Sequence, residues 1–279
     1  MSSKPIRATA PVQLQKKEFE WISRFLYERT GIALNDGKQA LVMGRLDKRL
    51  RSRGLTSYSE YFALLGRPGY EDETTAAIDL LTTNETYFFR EPKHFEFLVK
   101  VVFPQYAKQR QIRIWSAASS SGEEAYTIAM TLADSFASDN WEVIGTDIST
   151  RVLEKASRGL YPMLAADKIP TALLRKYCLK GREEFEDFFL MDGAIRKRVH
   201  FSTANLIEEL PDLGQFEVIF LRNVMIYFDR DTKKKLVHKI AEKLKPGGYF
   251  IISHSETLNG LDSPLELVAP SVYQKKSDR

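Results

Sequence analysis

Apolar residues recur at helical spacing through the first eighty residues, and at alternate positions only after residue 110. Phe19, Ile22, Phe25 and Leu26 share one face of a helix over about 18–27, with Gly31 placed to end it. Val42, Leu46 and Leu50 repeat every four residues and predict a second helix from Asn35 or Asp36 to about Arg53, stopped by Gly54. Ser57 stands where it would cap a third helix from 58 to about 65, and a fourth follows over 71–81. Residues 1–82 therefore read as a helical domain. Its lead, 1–12, is polar, carries Pro5 and Pro11, and is expected to be disordered.

Another helical stretch spans 94–106, and then the period changes. Strand patterns at 112–117, 142–146, 199–203, 216–221, 249–254 and around Val272 and Tyr273 alternate with helical patterns at 123–136, 150–158 and 231–244. Lys245-Pro246-Gly247-Gly248 is expected to stop the last helix. This βαβ order predicts an α/β domain over 96–279, a mostly parallel sheet with helices on both faces. Residues 175–198 break the rhythm. They are charged, hold Phe185, Phe188 and Phe189 with a Met191-Asp192-Gly193 turn, and read as a small inserted antiparallel β-subdomain.

The 279 residues are 43 % hydrophobic, enough for substantial cores, yet no apolar run approaches the roughly 20 residues of a membrane span. The N-terminus lacks the apolar stretch of a secretory signal. One cysteine, Cys178, excludes an intrachain disulfide and fits a reducing compartment, so a cytoplasmic protein is expected. The four histidines, His94, His200, His238 and His254, match no zinc-ligand spacing, and no metal is expected. A net charge of +4 does not by itself imply nucleic acid. Charge is concentrated on the second helix: between Lys38 and Arg53 six bases (Lys38, Arg45, Lys48, Arg49, Arg51, Arg53) face one acid, Asp47, a local net charge of +5. That is either a solvated face or a docking surface for an acidic partner.

The stretch Ile112 to Glu124, IRIWSAASSSGEE, reads as strand, tight loop and helix start. The helix beyond has its apolar face at Ile128, Leu132 and Phe136. Small residues let a ligand approach the backbone, but Glu123 and Glu124 would repel a pyrophosphate, and neither G-x-G-x-x-G nor a Walker lysine is present. A nucleoside carrying positive charge suits such a loop. A plain capped helix is the competing reading, because Ser121 with Glu124, or Ser120 with Glu123, fits a capping box. Asp147 ends the second strand, where an acid in such folds reaches the ribose hydroxyls; it could instead cap the next helix. Asn205-Leu206 follows the third strand and can pair with and pack on an adenine, or be an ordinary turn. Arg222 and Asn223 follow the fourth strand, with Tyr227 beyond. Ahead of the sheet, residues 83–95 form an unusually aromatic linker in which Asn84, Thr86 and Arg90 are candidates to face a ligand at the domain junction.

The set T-N-E-T-Y-F-F-R (83–90), S-S-S-G-E-E-A-Y (119–126), G-T-D-I (145–148), N-L (205–206), R-N-V-M-I-Y-F (222–228) and L-K-P-G-G-Y (244–249) closely resembles the chemotaxis-receptor methyltransferases, the CheR family. The resemblance covers nearly the whole chain. Ala125 departs from it, where the family usually has proline after the paired acids, a change confined to the first helical turn. The resemblance implies a Rossmann-like class I methyltransferase domain behind an all-α N-terminal domain, with S-adenosylmethionine as methyl donor and S-adenosylhomocysteine as product. It implies that Asn84, Thr86, Arg90, Glu123, Asp147, Asn205, Leu206, Arg222 and Asn223 line the cofactor pocket. Glu123 is preferred to Glu124 because a capping box from Ser121 would occupy Glu124. Arg90 and Tyr227 are expected to hold the cofactor tail or the substrate in line for transfer.

The implied substrate is a glutamate side chain on the cytoplasmic domain of a transmembrane chemotaxis receptor, converted to a methyl ester. Arg45, Lys48, Arg49, Arg51 and Arg53 then become a candidate receptor-docking face, and the inserted unit corresponds to the family's β-subdomain, which in some members grips a receptor C-terminal peptide. A monomer is expected, with no nucleic acid partner and no membrane insertion. The alternatives are a methyltransferase for another substrate and a non-catalytic cofactor-binding regulator; an intact Arg90, Asn223 and Tyr227 disfavour the second.

Overall fold

The computed structural model describes residues 12–107 and 111–277; the expected disordered lead lies, except for Val12, outside the described residues. The chain forms two compact units, Met1–Thr83 and Asn84–Arg279.

In the first unit, α1 (Lys16–Thr30) is opened by a reciprocal cap between Gln15 and Glu18 and closed by Gly31, whose left-handed φ of 73° lets its N–H reach the Tyr27 carbonyl at 2.8 Å. A 3-10 turn (Asp36–Lys38) leads into α2 (Gln39–Ser52). Ser57 and Glu60 form a capping box on α3 (Tyr58–Phe62), which ends before the expected residue 65, and α4 spans Glu71–Leu81. The predicted stripes meet in one core: Ile22, Leu26, Val42, Leu46, Leu50, Tyr58 and Tyr61 are fully buried. Glu73 of α4 is buried among them. It accepts from Arg49 Nη2 and Arg53 Nη2, both at 2.5 Å, and from the Tyr61 hydroxyl at 2.7 Å.

The second unit opens with one helical run: α5 (Lys93–Phe97), a π-helical stretch (Leu98–Val102) and α6 (Phe103–Tyr106). Next come β1 (Ile112–Ser116), α7 (Glu123–Ser135), β2 (Trp141–Asp147), α8 (Thr150–Arg158), β3 (Leu160–Pro162), α9 (Thr171–Tyr177), β4 (Cys178–Lys180), β5 (Phe188–Met191) and α10 (Gly193–Arg196). The chain ends with β6 (Val199–Thr203), β7 (Phe216–Phe220), α11 (Arg230–Lys243), β8 (Leu244–Ile251), β9 (Leu265–Ala269) and β10 (Val272–Lys275). The main sheet has the order β6-β2-β1-β7-β8-β10-β9, parallel through β8 and antiparallel at β10 and β9. Every residue of β7 is buried, as a strand covered on both faces requires. This is the mostly parallel α/β sheet that the alternation predicts.

The structure departs from the sequence reading in three places. Lys245-Pro246-Gly247-Gly248 does not separate helix from strand: α11 ends at Lys243, and β8 begins at Leu244 and runs through the four residues. Leu244 pairs with Phe216 and Tyr249 with Val218, so the four residues bulge out of register. Proline donates no ladder bond, and Gly247 takes a φ of 75°. The small antiparallel sheet, β3-β5-β4, draws a strand from Leu160–Pro162, ahead of residue 175. At the main sheet's edge, β9 was not evident in the sequence. Among the described residues, no helix is long and apolar enough to cross a membrane.

Candidate active site

The site lies beyond the carboxyl ends of β1, β2 and β7. After β1 the chain passes through 117–122 with Ser120 at φ 48° and Gly122 at φ 94°. A Cβ on Gly122 would come within 2.8 Å of the Ala156 Cβ, so only glycine lets the loop turn into α7 against α8. The expected capping box does not form. Gly122 occupies the N-cap position and offers no side chain, and the Ser121 hydroxyl donates to Glu123 Oε2 at 2.7 Å. Glu124 is drawn elsewhere, its Oε1 accepting from Ser116 Oγ at 2.8 Å and its Oε2 from Arg222 Nη1 at 2.9 Å. Glu123 is buried, and burial pushes its carboxyl pKa up against the opposing Ser121 bond.

Asp147 does not cap α8; Ser149 does, accepting from the Val152 N–H. Asp147 Oδ2 accepts the Ser120 N–H at 2.9 Å and its Oδ1 the Ser149 N–H at 3.0 Å, so it fixes the β1 loop to the β2 end. The Ala204 N–H, just past β6, donates to the Asp147 carbonyl at 3.0 Å and brings in the Asn205-Leu206 segment. Leu206 is buried, while Asn205 Oδ1 accepts the Ile207 N–H at 3.3 Å, the local turn that was the plainer reading. Asn84 joins the loop from the other side, its carbonyl accepting from Ser120 Oγ at 2.9 Å. Thr86 is half-buried.

Arg222 is the hub. Its buried guanidinium donates to Glu124 Oε2, lies 3.1 Å from Glu91 Oε2, and donates to the Arg90 carbonyl at 2.6 Å. It therefore holds the Arg90 backbone, while the Arg90 side chain turns back on its own segment. There Arg90 Nη1 donates to the Glu85 carbonyl at 3.0 Å, and its guanidinium lies 5.5 Å from the Tyr87 ring. Phe88 anchors the segment between Tyr161 and Phe189 of the small sheet. Tyr227 ends a half-buried 3-10 turn (Met225–Tyr227) beyond β7.

Seven non-glycine described residues have positive φ, and four are here: Phe89, Glu91, Ser120 and Asn223. Such conformations cost on the order of 1–3 kcal/mol each and persist only when their surroundings impose them. The imposing groups are side chains. The N–H groups of Phe89, Ser120 and Asn223 donate to Thr127 Oγ1 (3.1 Å), Asp147 Oδ2 (2.9 Å) and Glu256 Oε2 (3.1 Å) respectively. Glu256 also accepts the Ser253 N–H at 2.9 Å, and burial raises its pKa.

Glu256, Glu91 and a histidine pair behind it are participants that sequence reading missed. Ser271 Oγ bridges His94 Nε2 (2.8 Å) and His254 Nδ1 (2.9 Å), and Glu91 Oε2 accepts the His254 N–H at 3.2 Å. Glu91 and His94 stand just after the aromatic linker motif, a signal too weak alone to find them. Glu91, His94 and His254 bring potential ligand atoms within 4.8 Å of one another, a proximity their sequence spacing does not predict. Arg222 already occupies the Glu91 carboxylate, which disfavours a dication there.

Buried polar atoms without a hydrogen-bond partner include Ser119 Oγ, Arg222 Nε and Glu256 Oε1, each in the segment following a different strand. Unsatisfied groups of both signs at strand ends suit a ligand with a polar, zwitterionic part. Residues 84–273 match the CheR methyltransferase SAM binding domain, and residues 17–82 the CheR methyltransferase all-alpha domain. The chain belongs to the CheR methyltransferase family.

The chemotaxis protein methyltransferase of Escherichia coli is 38 % identical over 278 residues, covering 98 % of this chain and 96 % of the relative. That of Salmonella typhimurium is 37 % identical over 279 residues, covering 98 % and 95 %. That of Borreliella burgdorferi is 37 % identical over 275 residues, covering 95 % and 96 %. Among solved structures, the glycopeptide N-methyltransferase MtfA complexed with S-adenosylmethionine is 15 % identical, with a TM-score of 0.35, covering 63 % of this chain and 62 % of that one. The CheR match spans both units, so the fold expected from the sequence resemblance holds: an all-α domain followed by a mostly parallel methyltransferase domain with a small antiparallel sheet. A CheR chain with this SAM binding domain is an S-adenosylmethionine-dependent methyltransferase.

Proposed function

We propose that this methyltransferase esterifies glutamate side chains on the cytoplasmic domain of chemotaxis receptors. The observation that carries the reading is the Arg222 hub, which ties the T-N-E-T-Y-F-F-R segment to the acid-bearing loop on one side of the sheet. When bound, S-adenosylmethionine supplies a methyl group on a positively charged sulfur. Asp147, at the end of β2, is assigned to the ribose, and Asn205 with Leu206 to the adenine. Asn84, Thr86, Arg90, Arg222 and Asn223 are assigned to the rest of the pocket. Glu124 is ion-paired with the Arg222 guanidinium, whereas the described partner of the Glu123 carboxyl is the Ser121 hydroxyl, so Glu123 remains the acid assigned to the cofactor. That reason replaces the capping box.

The residues need do little acid–base work. A substrate glutamate with a pKa near ~4.3 is already ionised at neutral pH. What the chain must do is orient two charged partners and exclude water. Arg90, on a backbone held between two positive-φ residues, is the cation assigned to the reacting end, and Tyr227 is assigned to the same role. The test is transfer of labelled methyl from S-adenosylmethionine to purified receptor cytoplasmic fragments, followed by an alkaline wash, because carboxyl methyl esters hydrolyse in base and N-methyl groups do not. Base-labile label is expected. Base-stable label, or none on any of a panel of receptors, overturns the reading. Arg90→Ala is expected to lower turnover at least a hundredfold with little change in the thermal midpoint; a normal rate and normal cofactor affinity would remove Arg90 from this role.

A further inference from the structure

Glu256 lies five residues past the end of β8, and Asn223 three past the end of β7. These strands are parallel neighbours, so both residues stand beyond the same carboxyl ends of the sheet. The Glu256 carboxylate is fixed by its own turn. Its N–H donates to the Ser253 carbonyl at 3.0 Å, and the Ser253 N–H donates back to Glu256 Oε2 at 2.9 Å. Farther along, the Leu258 N–H donates to the Tyr273 hydroxyl at 3.1 Å, which ties the same loop to β10. The acceptor is therefore set by β8 and β10, not by the segment it receives.

That segment is 223–226. The Asn223 N–H donates to Glu256 Oε2 at 3.1 Å, and the N–H groups of Met225 and Ile226 are turned to the same carboxylate, which favours its ionised form. Three N–H groups within four residues thus converge on one anion from a remote loop, as the first N–H groups of a helix converge on its cap. The 3-10 turn Met225–Tyr227 has no side-chain cap of its own.

Asn223 is held at a φ of 60°. Asparagine tolerates this region better than most side chains, yet only glycine enters it freely. The residue is half-buried, and its amide side chain has no hydrogen-bond partner among the described residues. A strained position that keeps an uncommitted amide points to a ligand, and the strain has to be held from outside.

We propose that Glu256 is a positioning residue for methyl transfer: it holds the Asn223 backbone so that the amide side chain faces S-adenosylmethionine. The inference rests on the assignment of Asn223 to the cofactor pocket and is independent of the methyl acceptor.

S-adenosylhomocysteine is titrated calorimetrically into the full-length protein and its variants, each checked for folding by its thermal midpoint. Glu256→Ala is expected to weaken binding at least tenfold. Glu256→Gln keeps the volume and one acceptor oxygen but sets an NH2 against the Met225 and Ile226 N–H groups, so a loss of at least threefold is expected. It reads the role if Glu256→Ala does not fold. Asn223→Gly removes the amide and the strain together and is expected to weaken binding to a similar extent. In that background Glu256→Gln should lose less than twofold further, because no side chain is left to position. A merely structural carboxylate would show the same loss in both backgrounds, and that result overturns the proposal. Wild-type affinity in either folded Glu256 variant, with a loss in Asn223→Gly, overturns the proposal alone. Wild-type affinity in Asn223→Gly overturns the assignment of Asn223 and the proposal with it.

Discussion

At the scale of single residues, the site is organised by side chains that hold other residues' backbones. Thr127, Asp147 and Glu256 each fix the N–H of a residue in a conformation it would not adopt alone. Glu91, itself at φ 58°, connects Arg222 to the His94–Ser271–His254 bridge. His94 is the sensitive member. Burial, then the Arg222 charge, pushes its pKa down to about 3; Glu91 opposes this, and His254 adds to it. In the unfolded chain a histidine takes its proton near 6.5, whereas the folded protein refuses it until about 3. The stability that depends on neutral His94 is therefore complete above pH ~6.5 and is lost as the pH falls from there through about 3. Between pH 7.5 and 5 this amounts to about 2 kcal/mol, at 1.36 kcal/mol per unit below 6.5. His94→Gln, which stays neutral and can still meet Ser271, is expected to flatten the fall in urea midpoint over that interval. An unchanged slope would place the acid sensitivity elsewhere.

At the scale of elements, what was legible in the sequence was what is local. The stripes at 19, 22 and 26 and at 42, 46 and 50 need only a period, and they form the core of the helical unit. The strand, loop and helix start around 117–122 and the strand end at Asp147 were legible because their signals stand in a short run. His94 and Ser271 touch across 177 positions, and no pattern of either segment announces the other. Strand β9 escaped notice because it is an edge strand whose Leu267 and Val268 are exposed, so its alternation does not report a core. The capping box failed for the same kind of reason: Ser116 and Arg222, outside the motif, claim Glu124.

Pairing also changes how α2 is read. Arg49 and Arg53 both meet buried Glu73, Arg51 meets Asp47, and Arg45 donates to the carbonyls of Leu81 and Thr82 at 2.8 and 2.9 Å. Burial alone would raise the Glu73 pKa, but bonds from Arg49, Tyr61 and Arg53 outweigh it and hold the carboxyl at about 2. The stabilisation is present above the ordinary carboxyl range near 4.5 and is lost as the pH falls from there through about 2. Glu73→Ala leaves two arginines facing a buried space and is expected to cost about 3 kcal/mol. Urea unfolding at pH 7, followed by far-ultraviolet circular dichroism, measures it; a loss under 1 kcal/mol would mean that the arginines find other partners.

At the scale of the whole molecule, a docking role for the helical unit and transfer by the second unit are two proposals that charge can separate experimentally. Most of the +5 between Lys38 and Arg53 is committed to structure, and Lys48 is the docking candidate that stays exposed without a described partner. A receptor helix carrying several glutamates would meet that lysine and the outward faces of the paired arginines through water, where attraction falls off within a Debye length of about 8 Å at physiological salt. Docking of this kind enters the reaction before the methyl group moves. Raising sodium chloride from 50 to 500 mM is therefore expected to raise the KM for receptor several-fold with kcat nearly constant. Lys48→Glu should raise the same KM at low salt and flatten its salt dependence, while S-adenosylhomocysteine binding to the other unit stays as in the wild type. Glu73→Gln provides the contrast, because it disturbs the paired arginines through stability without removing a base from the surface. If KM ignores both salt and Lys48→Glu, the basic helix is a solvated face after all, and receptor recognition belongs to the methyltransferase unit alone.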